Sequence, residues 1–415
     1  MLSFALSAVA LASPPSPDVA TAALHSAVAL ALTPPPDVAT AVYLTDYPHA
    51  KCLDGSPGYY YIRRAAAGSV NATKWVFHMQ GGGWCTNAAS CVGRAKKYLG
   101  SSNKSVTGFA DVAEFGSVGC DNRGCGALML NDPAINELSY DWNAVFMRYC
   151  DGMSFAGNAS APFVDPKTGR TLYFRGLEIL HATHASLVEN EHLADATIAL
   201  IGGASAGGLA TYLHADVWTD LVHASNAAAG KPSALVISQP DSGFWPSDPA
   251  MRFYEMFLGW FALQGNVTDG LPKHCKYRET NVTRCLFPEF FADEITTPLW
   301  VLQSIYDPLQ QPCNRDDHGQ WLIDNINRTV WQNAAGLRRA AAGGTRNGGF
   351  VHSCERHCGA ELLTLDGHTA VLATEQLLTS AGRCSGYDCV YVDQQQYPCT
   401  TCCNDTPYPP TWRAL

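Results

Sequence analysis

Thr197 to Leu209 reads TIALIGGASAGGL, and no other stretch restricts the fold as tightly. A β-branched apolar run, Thr197 to Ile201, meets a glycine-rich turn, and a helical pattern follows. The turn fits G-x-S-x-G through Gly203, Ser205 and Gly207, the nucleophile elbow between a strand and a helix. The elbow needs these residue types. Ser205 has to stand on a sharp turn with its hydroxyl above the sheet. Gly203 and Gly207 have to lack side chains, which would strike the adjoining strand and helix. The helix N-terminus behind Ser205 brings N–H groups and a favourable dipole towards developing negative charge.

The rest of the chain is compatible with a sheet built around that turn. Trp75 to Met79 (WVFHM) is a short buried strand that runs into Gln80-Gly81-Gly82-Gly83-Trp84-Cys85. A glycine run directly after a strand marks a close approach of backbone, and in hydrolases a loop at this place supplies oxyanion N–H groups. Gly83 and Trp84 are assigned to that role, with Ala206 after the nucleophile as the third donor. Ala144 to Tyr149, Ala234 to Ser238 and Leu299 to Ile305 read as further buried strands. Tyr173 to Glu189 reads as the crossover helix into the elbow strand, and Ala210 to Val222 as the helix after it. Cys91 to Cys125 reads as loops pinned by disulfides. Strands alternating with helices imply an α/β-hydrolase-like fold: a mostly parallel central sheet covered on both faces, with disulfide-rich loops.

Composition narrows the compartment and the ligands. Sixteen cysteines are hard to reconcile with a reducing environment. Seven N-x-[ST] sequons, at Asn71, Asn103, Asn158, Asn266, Asn281, Asn327 and Asn404, also favour the secretory pathway. Leu2 to Ala12 has signal-peptide length and ends in small residues, although it lacks a basic start. SAVALA and PDVATA each occur twice, 19 residues apart, so residues 1–42 read as a duplicated Pro-rich leader and 43–415 as one domain. Neither apolar run reaches the ~20 residues that span a bilayer. A net charge of −10 with no basic face argues against nucleic acid.

Serine requires a base held by an acid. Asp307, in the turn Tyr306-Asp307-Pro308 off a buried strand, is the first candidate acid; Asp241 and Asp366 are the alternatives. Of the late histidines His318, His352, His357 and His368, the pair flanking Cys354 stands out. The residues themselves leave His352 and His357 even as the base. Cys354, His357 and Cys358 lie close in sequence, as do Cys399, Cys402 and Cys403, but oxidised cysteines do not bind zinc and the spacing fits no ligand pattern. No metal or cofactor is expected.

QGGGWC (Gln80 to Cys85), RYCDG (Arg148 to Gly152), GxSAGG (Gly203 to Gly208), TPL-x-x-L-x-S-x-YD (Thr297 to Asp307) and S-C-x-x-H-C (Ser353 to Cys358) together resemble the blocks of plant pectin acetylesterases. The closing YPC-x-x-C (Tyr397 to Cys402) resembles the plant members' last segment. The likeness to the Notum-type carboxylesterases of animals is more distant. It runs from about Tyr43 to the C-terminus. The resemblance implies a secreted or cell-wall serine esterase that deacetylates a polysaccharide such as pectin, with Ser205, His357 and Asp307 as the triad and no cofactor. It chooses His357 over His352 as the base. Two positions depart from the family's pattern: Ala204 stands where plant members commonly have cysteine, and Ser242 where many have alanine. A Notum-like deacylase of a lipidated protein is the alternative within the same chemistry. A binding protein on a hydrolase scaffold is the alternative outside it.

Overall fold

The computed structural model describes residues 38–393 apart from 104, 106–111, 115–125, 250–251, 266, 311–314, 345–346, 366–367, 372–373, 375–377 and 379–389. Its strands are β1 Val38–Tyr43, β2 Tyr59–Arg63, β3 Lys74–Met79, β4 Val112–Glu114, β5 Asn143–Met147, β6 Phe163–Val164, β7 Thr171–Leu172, β8 Ile198–Ala204, β9 Leu235–Asp241, β10 Trp300–Ser304, β11 Gly348–His352, β12 Thr364–Leu365, β13 His368–Thr369 and β14 Val390–Val392. Ten of them form one sheet in the order β14-β11-β10-β9-β8-β3-β5-β2-β1-β4. From β14 to β5 every neighbouring pair is parallel. β2, β1 and β4 close the other edge as an antiparallel ribbon. The pairs β6–β7 and β12–β13 are separate two-stranded ribbons.

The helices are α1 Ala88–Arg94, α2 Gly176–Glu191, α3 Ala206–Leu213, α4 Ala215–Ala228, α5 Arg252–Leu263, α6 Lys273–Arg278, α7 Arg315–Ile326 and α8 Ala334–Ala341. The expected α/β architecture is the one observed. β3 shows why the sheet is covered on both sides. Trp75, Phe77 and Met79 join one apolar cluster with α2 and α4, whereas Val76 joins another with Leu200, Ile237 and Phe350. Phe77 packs on Trp218 of α4 at 4.9 Å between centroids, and burying a ring of that size stabilises by about 1.5–3 kcal/mol.

Four local readings shift. The single helix expected over Ala210 to Val222 is two, α3 and α4, broken at His214. The backbone at His214, with φ −112° and ψ 12°, leaves the helical region, and its buried ring lies with Nε2 3.1 Å from the Ser154 carbonyl. The crossover helix starts at Gly176, where a Cβ would lie 2.2 Å from Asp151 Oδ2. Ordered structure also begins before Tyr43, because β1 takes in the second PDVATA copy from Val38. Of the Cys91 to Cys125 stretch, the end of α1 and the strand β4 are regular rather than loop.

Three disulfides are present among the described residues, Cys52–Cys150, Cys85–Cys91 and Cys275–Cys285. Cys354 is also disulfide-bonded, and Cys358 is free. No helix of the described residues is long and apolar enough to cross a membrane.

Candidate active site

The carboxyl ends of β3, β8, β9, β10 and β11 bring the candidate residues together, as open α/β sheets do with their ligand-binding loops. Ser205 caps α3 with φ 60° and ψ −118°, a conformation that L-residues rarely adopt. The glycines around it are there for space. A Cβ on Gly207 would fall 1.8 Å from the Met79 carbonyl, and one on Gly203 would fall 2.5 Å from the Gly207 carbonyl. The elbow is pinned from the next strand, where the Asp241 carbonyl accepts the Ser205 N–H at 3.0 Å.

Asp307 lies in the turn after β10, buried, and its Oδ2 is 2.6 Å from His357 Nδ1. Its other oxygen accepts the Leu309 N–H at 2.9 Å. The Nε2 of His357 is buried without a hydrogen-bond partner among the described residues, so it is uncommitted; in such sites the bond to serine often tightens only around substrate. Trp245 joins the two sides of the site. Its indole N–H reaches the Ser205 carbonyl at 3.5 Å, and its ring meets the His357 ring edge-on at 5.7 Å.

His352, the other half of the even pair, sits elsewhere in the loop's wiring. It is buried at the end of β11, its Nδ1 accepts the Cys354 N–H at 3.2 Å, and burial pulls its pKa down to about 3. His318 is also buried, stacked on Trp321 at 5.4 Å between centroids, and burial lowers its pKa. Asp366 and the side chain of His368 lie outside the described residues. Among the described residues no group of three or more His, Cys, Asp and Glu is placed to hold a metal ion.

The glycine loop after β3 is tied to the elbow by side chains that the motifs alone do not reveal. The Tyr149 hydroxyl donates to the Gly83 carbonyl at 2.9 Å, and Arg94 donates to the Gly82 carbonyl at 3.0 Å. Trp84 donates its indole N–H to Ser154 Oγ at 2.8 Å, and Ser154 in turn donates to the Ala206 carbonyl at 2.7 Å. The backbone N–H groups of Gly83 and Trp84 donate to no group among the described residues. Asp151 organises the neighbouring turn by accepting the Phe155 and Met153 N–H groups at 3.2 and 3.4 Å. Desolvation raises its pKa to about 6. The RYCDG block thus contributes scaffolding for the glycine loop.

A serine on a strand–turn–helix elbow, with a carboxylate-bound histidine reaching the same end of a parallel sheet, defines an α/β-hydrolase-like protein. The family profile described as Pectinacetylesterase matches residues 36–404. The chain belongs to the pectin acetylesterase family. Similar relatives include pectin acetylesterase 5 of Arabidopsis thaliana, 33% identical over 74% of this chain and 70% of its own. Pectin acetylesterase 4 of the same plant is 30% identical over 74% and 73%. Palmitoleoyl-protein carboxylesterase NOTUM of Schmidtea mediterranea is 24% identical over 80% of this chain and 59% of its own.

Proposed function

We propose that the protein is a secreted serine esterase that removes acetyl groups from a plant polysaccharide, pectin being the substrate that the family's name gives. The observation that carries this reading is the 2.6 Å pairing of His357 with buried Asp307 at the same sheet end as the Ser205 elbow. His357 Nε2 takes the Ser205 proton as Oγ bonds to the ester carbonyl carbon. The N–H groups of Gly83, Trp84 and Ala206 receive the charge on the carbonyl oxygen, each contributing about 3 kcal/mol to lowering the barrier. The imidazolium then protonates the departing sugar oxygen, leaving an acetyl-serine. Water, deprotonated by His357, releases acetate. Asp307 keeps the proton on Nδ1 and stabilises the imidazolium.

The short acyl group rests on the family and on plant relatives named pectin acetylesterases. Trp84 packs edge-on against Trp245 at 4.8 Å, Phe257 at 4.7 Å and Phe253 at 5.9 Å, and Trp245 meets Phe253 at 4.5 Å. These rings belong to one apolar cluster. Disulfides among the described residues are consistent with secretion. The test is acetate release from acetylated pectin, together with a p-nitrophenyl ester series from acetate to octanoate. Efficiency should fall with chain length. A tenfold or greater preference for octanoate, about 1.4 kcal/mol, would replace this reading with the lipid-deacylase alternative. Absence of hydrolysis on every ester would favour a binding protein.

A further inference from the structure

Asp241, the alternative candidate acid, has no part in the mechanism above, yet it is 3% exposed at the end of β9, the strand beside the elbow. Its Oδ2 accepts the Gly359 N–H at 2.6 Å, and its Oδ1 accepts the Ser242 hydroxyl at 3.0 Å. The Ser242 oxygen in turn accepts the Cys358 N–H at 2.9 Å. One carboxylate thus holds, directly and through Ser242, the two consecutive N–H groups that follow His357. The same residue's backbone carbonyl accepts the Ser205 N–H. The turn that carries this arrangement is pressed on the elbow helix, since a Cβ on Gly243 would lie 2.4 Å from the Gly208 carbonyl carbon.

We infer that Asp241 is a positioning residue that fixes the base loop and the nucleophile elbow to one strand end, with Ser242 as its relay. This rests on the reading of Ser205 and His357 as nucleophile and base. Cys358 and Gly359 have φ of 66° and 78°, so the loop takes a left-handed course over two residues that needs external anchoring. The groups facing Asp241 are His357 and Cys358 from the loop and Glu361 from the turn after it. Asp307 also faces Cys358, and His78 of β3 adjoins Glu361 across Gly126. Burial raises both Asp241 and Glu361, Glu361 to about 8. Asp241 has the richer set of donors, three against the one N–H that Glu361 accepts, counting the Ser242 relay.

The experiment measures kcat and KM on p-nitrophenyl acetate, and the rate at which a phosphonate ester modifies Ser205, in wild type, Asp241→Asn and Ser242→Ala. Misplacing a reacting group by ~1 Å costs roughly 100-fold. Asp241→Asn should therefore lose roughly 10- to 100-fold in kcat, with KM changed less than about twofold, and phosphonylation should slow in parallel. Ser242→Ala, which leaves the direct Gly359 contact, should lose only a few-fold and remain folded by near-UV circular dichroism. If Asp241→Asn does not fold, the parallel slowing in Ser242→Ala supports the inference, and its absence overturns it. Unchanged kcat and phosphonylation in both variants would overturn it while leaving the esterase reading intact. A loss in Asp241→Asn as large as that of Asp307→Asn would overturn it in favour of a direct catalytic role. A wild-type chain that hydrolyses no ester and resists phosphonylation removes the esterase reading, and the inference falls with it.

Discussion

The elbow at Gly203–Gly207 and the loop at Ser353–Gly359 each carry a residue of the proposed triad at the same end of the sheet, but they are shaped differently. The elbow is made of backbone: glycines too close to Met79 for any side chain, a helix start, and a hydrogen bond from the adjoining strand. The base loop has no such local logic. Its His357 is fixed by Asp307, 50 positions away, and its next two N–H groups by Ser242 and Asp241, 116 and 118 positions away. The proposed nucleophile is therefore built into a motif, whereas the proposed base is placed by tertiary contacts.

Removing the reactive groups sharpens that comparison most. Ser205→Ala and His357→Ala should each cost on the order of 10⁶ in kcat, because groups acting as a unit fail together, and Ser205→Ala should leave the melting temperature unchanged. Retention of more than a few per cent of turnover by either variant would remove that residue from its proposed role. Asp307→Asn keeps the acceptor for Leu309 but loses the charge opposite Nδ1, and should cost about 10⁴ in kcat.

Gly207→Ala tests the backbone half. With its Cβ 1.8 Å from a main-chain oxygen, it should destabilise by at least ~3 kcal/mol, read as a lower denaturation midpoint or loss of soluble protein. A variant of wild-type stability would mean that the elbow is looser than its glycines imply.

The elbow was legible because strand, turn and helix are contiguous, and Asp307 because a turn aspartate follows a buried strand. The choice between His352 and His357 was not legible in the residues, since both flank Cys354 and only the fold decides which imidazole meets the carboxylate. The roles of Tyr149, Ser154 and Trp245 were not legible for the same reason. Their partners Gly83, Ala206 and Ser205 lie 66, 52 and 40 positions away, and a tyrosine or tryptophan in an apolar run reads first as core. The break at His214 was hidden too, because nothing in the residues marks where its backbone leaves the helical region.

The smallest expected effect compares the two histidines directly. His352 has a folded-state value of about 3, below the ordinary ~6.5, so the unfolded chain takes up the proton first. Its contribution is complete above pH ~6.5 and is lost as pH falls towards 3, amounting to about 2 kcal/mol at pH 5. Asp151 and Glu361, raised to about 6 and about 8, act in the opposite direction, because the folded chain protonates them first. The informative quantity is therefore the difference between His352→Gln and wild type in urea unfolding at pH 7 and pH 5. The variant should lose less stability between the two. Equal losses would place His352 outside the titrating set, and activity at pH 7 should change little in either case.

The Cys85–Cys91 bond sits directly after Trp84, and both half-cystines are almost wholly shielded, at 1% and 0% exposure. A cross-link that oxidant cannot reach in the finished molecule has to be made while the chain is still open. On the proposed function, the loop that carries Gly83 and Trp84 depends on when that bond forms as well as on its sequence. Chain that matures in a reducing cytosol should acquire the sheet yet hydrolyse esters poorly, and oxidation after purification should not restore it; full recovery on late oxidation would show that the loop can be set at any time.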